Sequence, residues 1–227
     1  QGRFWVGAVD GLYMAPVSQL EAFLKDTGTN PFTPVVTGRN IWTITQAGED
    51  AFWLGTNKGL FSLTKTNKQW ETVHELTPDY GDTILPRKRV RTIARDNDSN
   101  IWLGTEYGGA LYYMPSTANV TTIQNRRSDN ALTLSNAIVW SLHQDDDNAL
   151  WIGTDNGLNR YDLASGETKA FIVSENEDDS NGDSVIEKIM PWKADTLLLQ
   201  TYNGISVFDK TTGTLSKPQP AEGNAQI

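Results

Sequence analysis

Short apolar runs separated by polar, turn-forming segments cover this chain, and the runs recur. The string FWVGAVDGL at 4–12 returns as FWLGTNKGL at 52–60, IWLGTEYGGAL at 101–111, LWIGTDNGL at 150–158 and, more worn, LLLQTYNGI at 197–205. The anchor positions Trp5, Trp53, Trp102, Trp151 and Leu198 stand 48, 49, 49 and 47 residues apart. Twelve residues ahead of each of the last four anchors lies an apolar pair at i and i+3: Ile41 and Ile44, Val90 and Ile93, Val139 and Leu142, Ile186 and Ile189. Polar connectors at 46–50, 95–100, 144–148 and 191–195 separate the pair from the anchor and predict a reversal there. After the anchor, a Thr-x-x-Gly turn, with Ala in place of Thr in the first copy, leads into β-prone runs at 60–63, 111–114, 158–163 and 205–208. A fourth run follows at 69–73, 120–123, 168–173 and 214–217. One helical stretch is expected, around 17–24.

Four short antiparallel strands per period of ~48 residues predict an all-β fold of four-stranded β-propeller blades. The large ring on the second strand then fills the wedge between adjacent blades. The repeat units fall at approximately 1–37, 38–86, 87–135, 136–182 and 183–223 of a single partial propeller spanning 1–227. The first copy lacks its leading strand, and residues 224–227 mimic the start of one, such as 135–138. The expectation is a fragment whose edges pair with the remaining blades of the same polypeptide. Closure of five units on themselves is the alternative, and a homodimer is a further option.

Charge narrows the partners. Against 19 basic residues the chain carries 28 acidic ones, for a formal charge of −9. That balance argues against nucleic acid and against direct contact with an anionic membrane, both of which need a dense basic surface. With no cysteine there is no disulfide framework, thiolate zinc site or cysteine nucleophile. No apolar run approaches the ~18–20 residues of a membrane span.

The segments VWSLHQDDDNALWIGTDNGLNRYD at 139–162 and 90–113 resemble the two-component regulator propeller repeat. That repeat pairs a V-x-x-I strand with an aspartate-rich turn, W-I-G-T and a G-L hairpin, and the likeness runs through all five copies. The resemblance implies the periplasmic sensor region of a membrane-anchored bacterial signalling protein carrying a kinase or cyclase, often with seven blades and an oligosaccharide ligand. At ~48 residues per blade, seven blades need roughly 340 residues, more than are present. The last copy departs from the pattern at Leu198 and Gln200, and the third carries an extra residue at Gly108-Gly109.

In a propeller, the loop leading into each blade and the turn between its second and third strands share one face, around the channel mouth. Those turns fall at 8–11, 56–59, 105–109, 154–157 and 201–204, and the lead-in loops at 26–40, 77–89, 125–137 and 174–184. The loops and strand starts hold Arg39, Arg87, Lys88, Arg89, Arg91, Arg126 and Arg127, with Lys58, Tyr80, Tyr107, Asn156 and Tyr202 beside them. Arg39, Lys58, Arg89, Arg91, Tyr107, Arg126, Arg127, Asn156 and Tyr202 are the candidate ligand-binding set. Guanidinium groups suit an anionic ligand and tyrosines a sugar ring. Solvated loop charge is the plainer alternative. Trp42 and Trp140, just inside the innermost strands, are expected to pack between blades.

Chemistry beyond binding finds little purchase. Asp96-x-Asp98-x-Asn100 has calcium-loop spacing without the glycine or the distal glutamate, so the expectation is a structural turn and no metal. The acidic loop 174–184 reads as solvated, with calcium left open. His74 and His143 have no partner recognisable by spacing, and no hydrolase or phosphate-loop motif is present. The reading is a non-catalytic ligand-sensing or interaction module without cofactors, binding an oligosaccharide or anionic small ligand. A polysaccharide lyase or hydrolase and a structural protein-docking propeller are the alternatives.

Overall fold

The computed structural model describes residues 2–25, 28–74, 89–96, 99–114, 116, 117, 119–124, 134–145, 148–171 and 182–218. Among them the strands form five antiparallel sheets. The first has three strands, β1 (Arg3–Gly7), β2 (Gly11–Pro16) and β3 (Thr33–Thr37), with helix α1 (Val17–Leu24) inserted between β2 and β3. The second contains β4 (Ile41–Gly48), β5 (Ala51–Thr56), β6 (Gly59–Thr66) and β7 (Gln69–His74). The third contains β8 (Val90–Arg95), β9 (Ile101–Thr105), β10 (Gly109–Met114) and β11 (Asn119–Ile123). The fourth runs β12 (Val139–Gln144), β13 (Ala149–Thr154), β14 (Gly157–Asp162) and β15 (Thr168–Phe171). The fifth runs β16 (Ile186–Lys193), β17 (Thr196–Thr201), β18 (Gly204–Asp209) and β19 (Thr214–Ser216). Strands neighbouring in sequence are neighbours in each sheet, the arrangement of propeller blades. The chain divides into two compact units, Gln1–Ile101 and Trp102–Ile227, each described by itself.

The i, i+3 spacing of the innermost strands has a specific cause. Ile41 and Thr43 pair with the consecutive residues Thr56 and Gly55, which leaves Trp42 as an extra, bulged residue. Trp140 between Val139 and Ser141, and Glu187 between Ile186 and Lys188, are bulged in the same way. A bulge offsets the two-residue alternation by one, so the first and fourth residues share the core face. Hence Ile41 is 3%, Val139 0% and Ile186 0% exposed, while the bulged side chain is freed for other contacts.

Adjacent sheets meet through the other face of the anchor strand. Trp5 packs on Phe52 and Trp70 of the second sheet, with centroids 4.8 and 5.0 Å apart. Trp151, 1% exposed, meets Phe208 of the fifth sheet at 5.5 Å, within a cluster of Ile186, Leu197 and Leu199. Trp102 lies 5.7 Å from Tyr161 of the fourth. Such ring pairs add about 0.5–1.5 kcal/mol beyond the area they bury. The acidic turn contributes to one of these junctions: Asp145 accepts from the Trp151 indole at 3.1 Å and from Lys210 of the fifth sheet at 2.7 Å.

Two residues past the anchor, glycine is required because the next innermost strand arrives there. A Cβ on Gly7 would stand 2.7 Å from the Ile41 carbonyl oxygen, on Gly55 2.8 Å from that of Val90, and on Gly153 2.6 Å from that of Ile186. The fifth sheet breaks this rule. Its glycine position is Gln200, exposed and donating to Glu187 at 3.0 Å, and its anchor is the half-buried Leu198. The face of β17 bearing both residues thus lacks both elements of the junction used by the sheets before it.

Two tests follow from these contacts. Gly153→Gln overpacks the junction and is expected to cost about 1–3 kcal/mol in a urea melt, whereas Gln200→Gly should shift stability by less than about 1 kcal/mol. Equal effects would remove the distinction drawn between the two positions. The Asp209 carboxylate, held by the amides of Thr212 and Thr211, and that of Asp162, held by those of Ser165 and Ala164, both titrate below the ordinary carboxylate range. Their contribution is present above that range and is lost as pH falls through the lowered values. Asp209→Asn should therefore flatten the acid limb of a thermal-stability profile and leave its neutral part nearly parallel to wild type.

Candidate functional site

The turns between the second and third strands of the four-stranded sheets are built on a threonine. Thr56, Thr105 and Thr154 are 0% exposed and Thr201 2%. Their hydroxyls donate to the carbonyls of Gly59, Gly109, Gly157 and Gly204 at 2.8–3.1 Å. The same oxygen accepts from the amides of Lys58, Asn156 and Asn203. This closed bonding fixes the backbone of the turns that carry Lys58, Tyr107, Asn156 and Tyr202. Tyr107 is held at φ +68 by the extra residue in its turn.

Backbone bonds then tie three of the lead-in segments to these turns. In the first unit, Gly38 donates to the Asp10 carbonyl at 2.8 Å and Ile41 to that of Ala8 at 3.0 Å. Asn57 donates to the Asn40 carbonyl, and the Asn40 amide bonds the Asn57 side chain, both at 3.2 Å. Arg39 is therefore set between two turns, and Lys58 is joined to the same edge through Asn57. In the second unit, Gly109 donates to Ala137, Asp155 to Ile138 and Gly157 to Ser184.

Arg39 is the unusual cation. Its guanidinium carbon lies 4.0 Å from the Phe61 ring centroid, and Nε and Nη1 are buried without a hydrogen-bond acceptor. Arg91 of the third sheet stacks on the bulged Trp42 of the second at 4.0 Å, so Trp42 packs between adjacent sheets, against a cation. Trp140 donates instead to Asp155 at 3.0 Å. Arg89 and Lys58 are exposed, and Asn156 is half-buried. Tyr107 is 69% and Tyr202 78% exposed, each on the turn of its own sheet. Arg126 and Arg127, with Tyr80, Arg87 and Lys88, lie outside the described residues.

Sequence reading passed over the polar supports beneath these turns. Buried Asn159 bonds the Ser135 hydroxyl, the Ser135 amide and the Ile152 carbonyl, and Ser135 in turn bonds Thr154 at 3.0 Å. In the fifth sheet Lys217 bridges Asp183 and the buried Ser206, and Thr201 bonds Asp183. The only prior signal was a polar residue interrupting an apolar strand. In the turn at 96–100, both Asp96 oxygens accept from Asn100, at 2.8 and 3.2 Å, which is a structural use of that carboxylate. The loop 174–184, apart from 182–184, lies outside the described residues.

Against known proteins, the family model described as the two component regulator propeller matches residues 84–107 and 133–156. Each match runs from a lead-in loop through the innermost strand and anchor strand into the threonine turn. No curated protein matches the chain. Among solved structures, the extracellular domain of a putative one component system from B. thetaiotaomicron aligns with TM-score 0.69 at 23% identity, covering 99% of this chain and 27% of that one. The extracellular domain of a putative hybrid two component system from the same organism gives 0.60 at 22%, over 95% of this chain and 25% of its own. The WD40 β-propeller domain of Doa1 gives 0.60 at 10%, over 95% and 64%. The chain therefore has a β-propeller fold and spans about a quarter of the two extracellular domains it matches.

The threonine turns yield a direct test. Thr154→Val keeps the shape but removes the hydroxyl that bonds the Gly157 carbonyl, the Asn156 amide and the Ser135 hydroxyl, and should cost about 1–3 kcal/mol in a denaturant melt. A loss no larger than that of an exposed Thr→Val change would show that the hydroxyl does not hold the turn.

Proposed function

We propose that this chain of two component regulator propeller repeats is a non-catalytic, extracytoplasmic ligand-sensing module of a membrane-anchored receptor, and that its mouth loops bind an acidic oligosaccharide or similar anionic ligand. The observation that carries the reading is Arg39. In a chain of charge −9, a guanidinium stacked on Phe61 has two nitrogens out of reach of water and without acceptors. Among the described residues it has no counter-charge, which is costly for a half-buried cation, and an anion at its accessible edge supplies one through charge-assisted hydrogen bonds. Stacking on Phe61 fixes the guanidinium plane in advance and lowers the ordering cost of binding. Among the described residues no helix is long and apolar enough to cross a membrane.

Signalling from such a site needs a ligand that binds one state of the receptor better than another. This segment supplies the binding half of that scheme.

Calorimetric titration with uronic-acid-containing and neutral oligosaccharides tests the reading, using wild type and Arg39→Met, which keeps the stem packed on Phe61. Binding confined to acidic oligosaccharides, weakened at least about tenfold in the variant with no fall in its melting temperature, is expected. Affinity unaltered by Arg39→Met would count against the assignment. Turnover of the oligosaccharide would favour the enzyme alternative, and binding of neither class the protein-docking one.

A further inference from the structure

One end of the sheets in the unit Gln1–Ile101 is short of negative charge. Where β4 and β8 begin, and where the turns 8–11 and 56–59 lie, stand Arg39, Lys58, Arg89 and Arg91. Among the described residues of this unit, the one carboxylate at that end is Asp10. Its backbone lies close to Arg39, since Gly38 donates to its carbonyl, yet its Oδ2 accepts from the Tyr13 hydroxyl at 2.7 Å. Arg39 Nε and Nη1 are left without acceptors, and among the described residues no ion pair takes up the exposed Lys58 either.

The two cations are tied to each other. Asn40, next to Arg39, and Asn57, next to Lys58, bond reciprocally: the Asn57 amide donates to the Asn40 carbonyl, and the Asn40 amide to the Asn57 side-chain oxygen, both at 3.2 Å. The Lys58 amide donates to the Thr56 hydroxyl at 2.9 Å, which fixes the turn itself. With its oxygen occupied, the Asn57 side chain keeps its NH2 group as a further donor on the same edge. In the fourth sheet the position of Asn57 is Asp155, whose carboxylate bonds Trp140, and Ala137 and Asn156 stand where the second sheet has Arg39 and Lys58. In the fifth those two positions are Ser184 and Asn203.

We propose that Arg39 and Lys58 form a two-cation site whose ligand carries two acidic groups, and that Asn57 is its positioning residue, holding the turn of the lysine to the segment of the arginine. The site rests on the functional reading of Arg39 as an anion-binding residue. The guanidinium, its plane set by Phe61, takes one acidic group at its accessible edge, and the ammonium takes the second as a point charge. A ligand with a single acidic group leaves one of the two cations uncompensated. Because the backbone under both is already fixed, binding orders less chain than it would with two free loops.

Calorimetric titration of the 227-residue chain with trigalacturonic acid tests this, with galacturonic acid as the single-carboxylate comparison. Wild type should bind the trimer at least about tenfold more tightly than the monomer. Arg39→Met, Lys58→Met and Asn57→Ala should each weaken the trimer by about tenfold, and Lys58→Arg should retain it. Asn57→Ala combined with Lys58→Met should bind no more weakly than Lys58→Met alone, because positioning matters only while there is a lysine to position. Additive losses would make Asn57 a general support of the fold and overturn its role. If Asn57→Ala folds poorly, Asn57→Asp keeps the oxygen that meets the Asn40 amide, and its charge should still weaken the trimer; unchanged binding overturns the placement of Asn57 beside the ligand. A trimer weakened by Arg39→Met and untouched by Lys58→Met overturns the two-cation site and leaves the reading of Arg39 standing. No binding, or binding indifferent to Arg39→Met, removes that reading and the two-cation site with it.

Discussion

Adjacent sheets in this fold meet where a carbonyl oxygen approaches a glycine. Ile41, Val90 and Ile186, each the first residue of its innermost strand, turn their carbonyls toward the anchor strand of the sheet before, within 2.6–2.8 Å of where a Cβ would stand on Gly7, Gly55 or Gly153. No larger residue fits without moving the strand, so the sheets stack at a fixed spacing and the anchor tryptophan fills the wedge that the spacing leaves. The bulge belongs to the same device. It places both aliphatic residues of the innermost strand on the core face while freeing the intervening side chain for other contacts.

That released side chain links the stacking to recognition. Trp42 supports the Arg91 guanidinium, Trp140 fixes Asp155 in a mouth turn, and Glu187 holds Gln200. Around them, buried threonines fix the turns and backbone bonds fasten three of the lead-in segments to those turns, so the groups offered to a ligand rest on rigid supports. Arg39 stands out because Phe61 holds it in position and no described residue neutralises it. Preorganised positive charge of this kind favours an anion whose own charge completes the pairing.

Much of the fold was legible because its constraints are local in sequence. The anchor string, the threonine turn and the fourth strands appeared where the period placed them, and the helix occupies Val17–Leu24 as expected. The i, i+3 pair was visible, but its meaning was not: a bulge leaves no residue type of its own, so the role of Trp42 emerged only from the register. The site was legible in part. Arg39, Lys58, Tyr107, Asn156 and Tyr202 could be assigned to turns and lead-in segments from the repeat alone, whereas the stacking of Arg39 on Phe61 joins residues 22 apart, a pairing that no periodicity announces. The Asn159–Ser135–Thr154 network was missed for the same reason, because a buried amide looks like any polar interruption until its partners are known.

The central functional claim is that an anionic ligand completes the charge of Arg39. Its most direct test is two-dimensional NMR of the arginine Nε–H groups during titration with an acidic oligosaccharide. The account predicts that the Arg39 signal moves first and saturates with the ligand, while those of Arg3, paired to Asp50, and Arg160, near Asp162, stay in place. A titration that saturates with the Arg39 signal unmoved would contradict it.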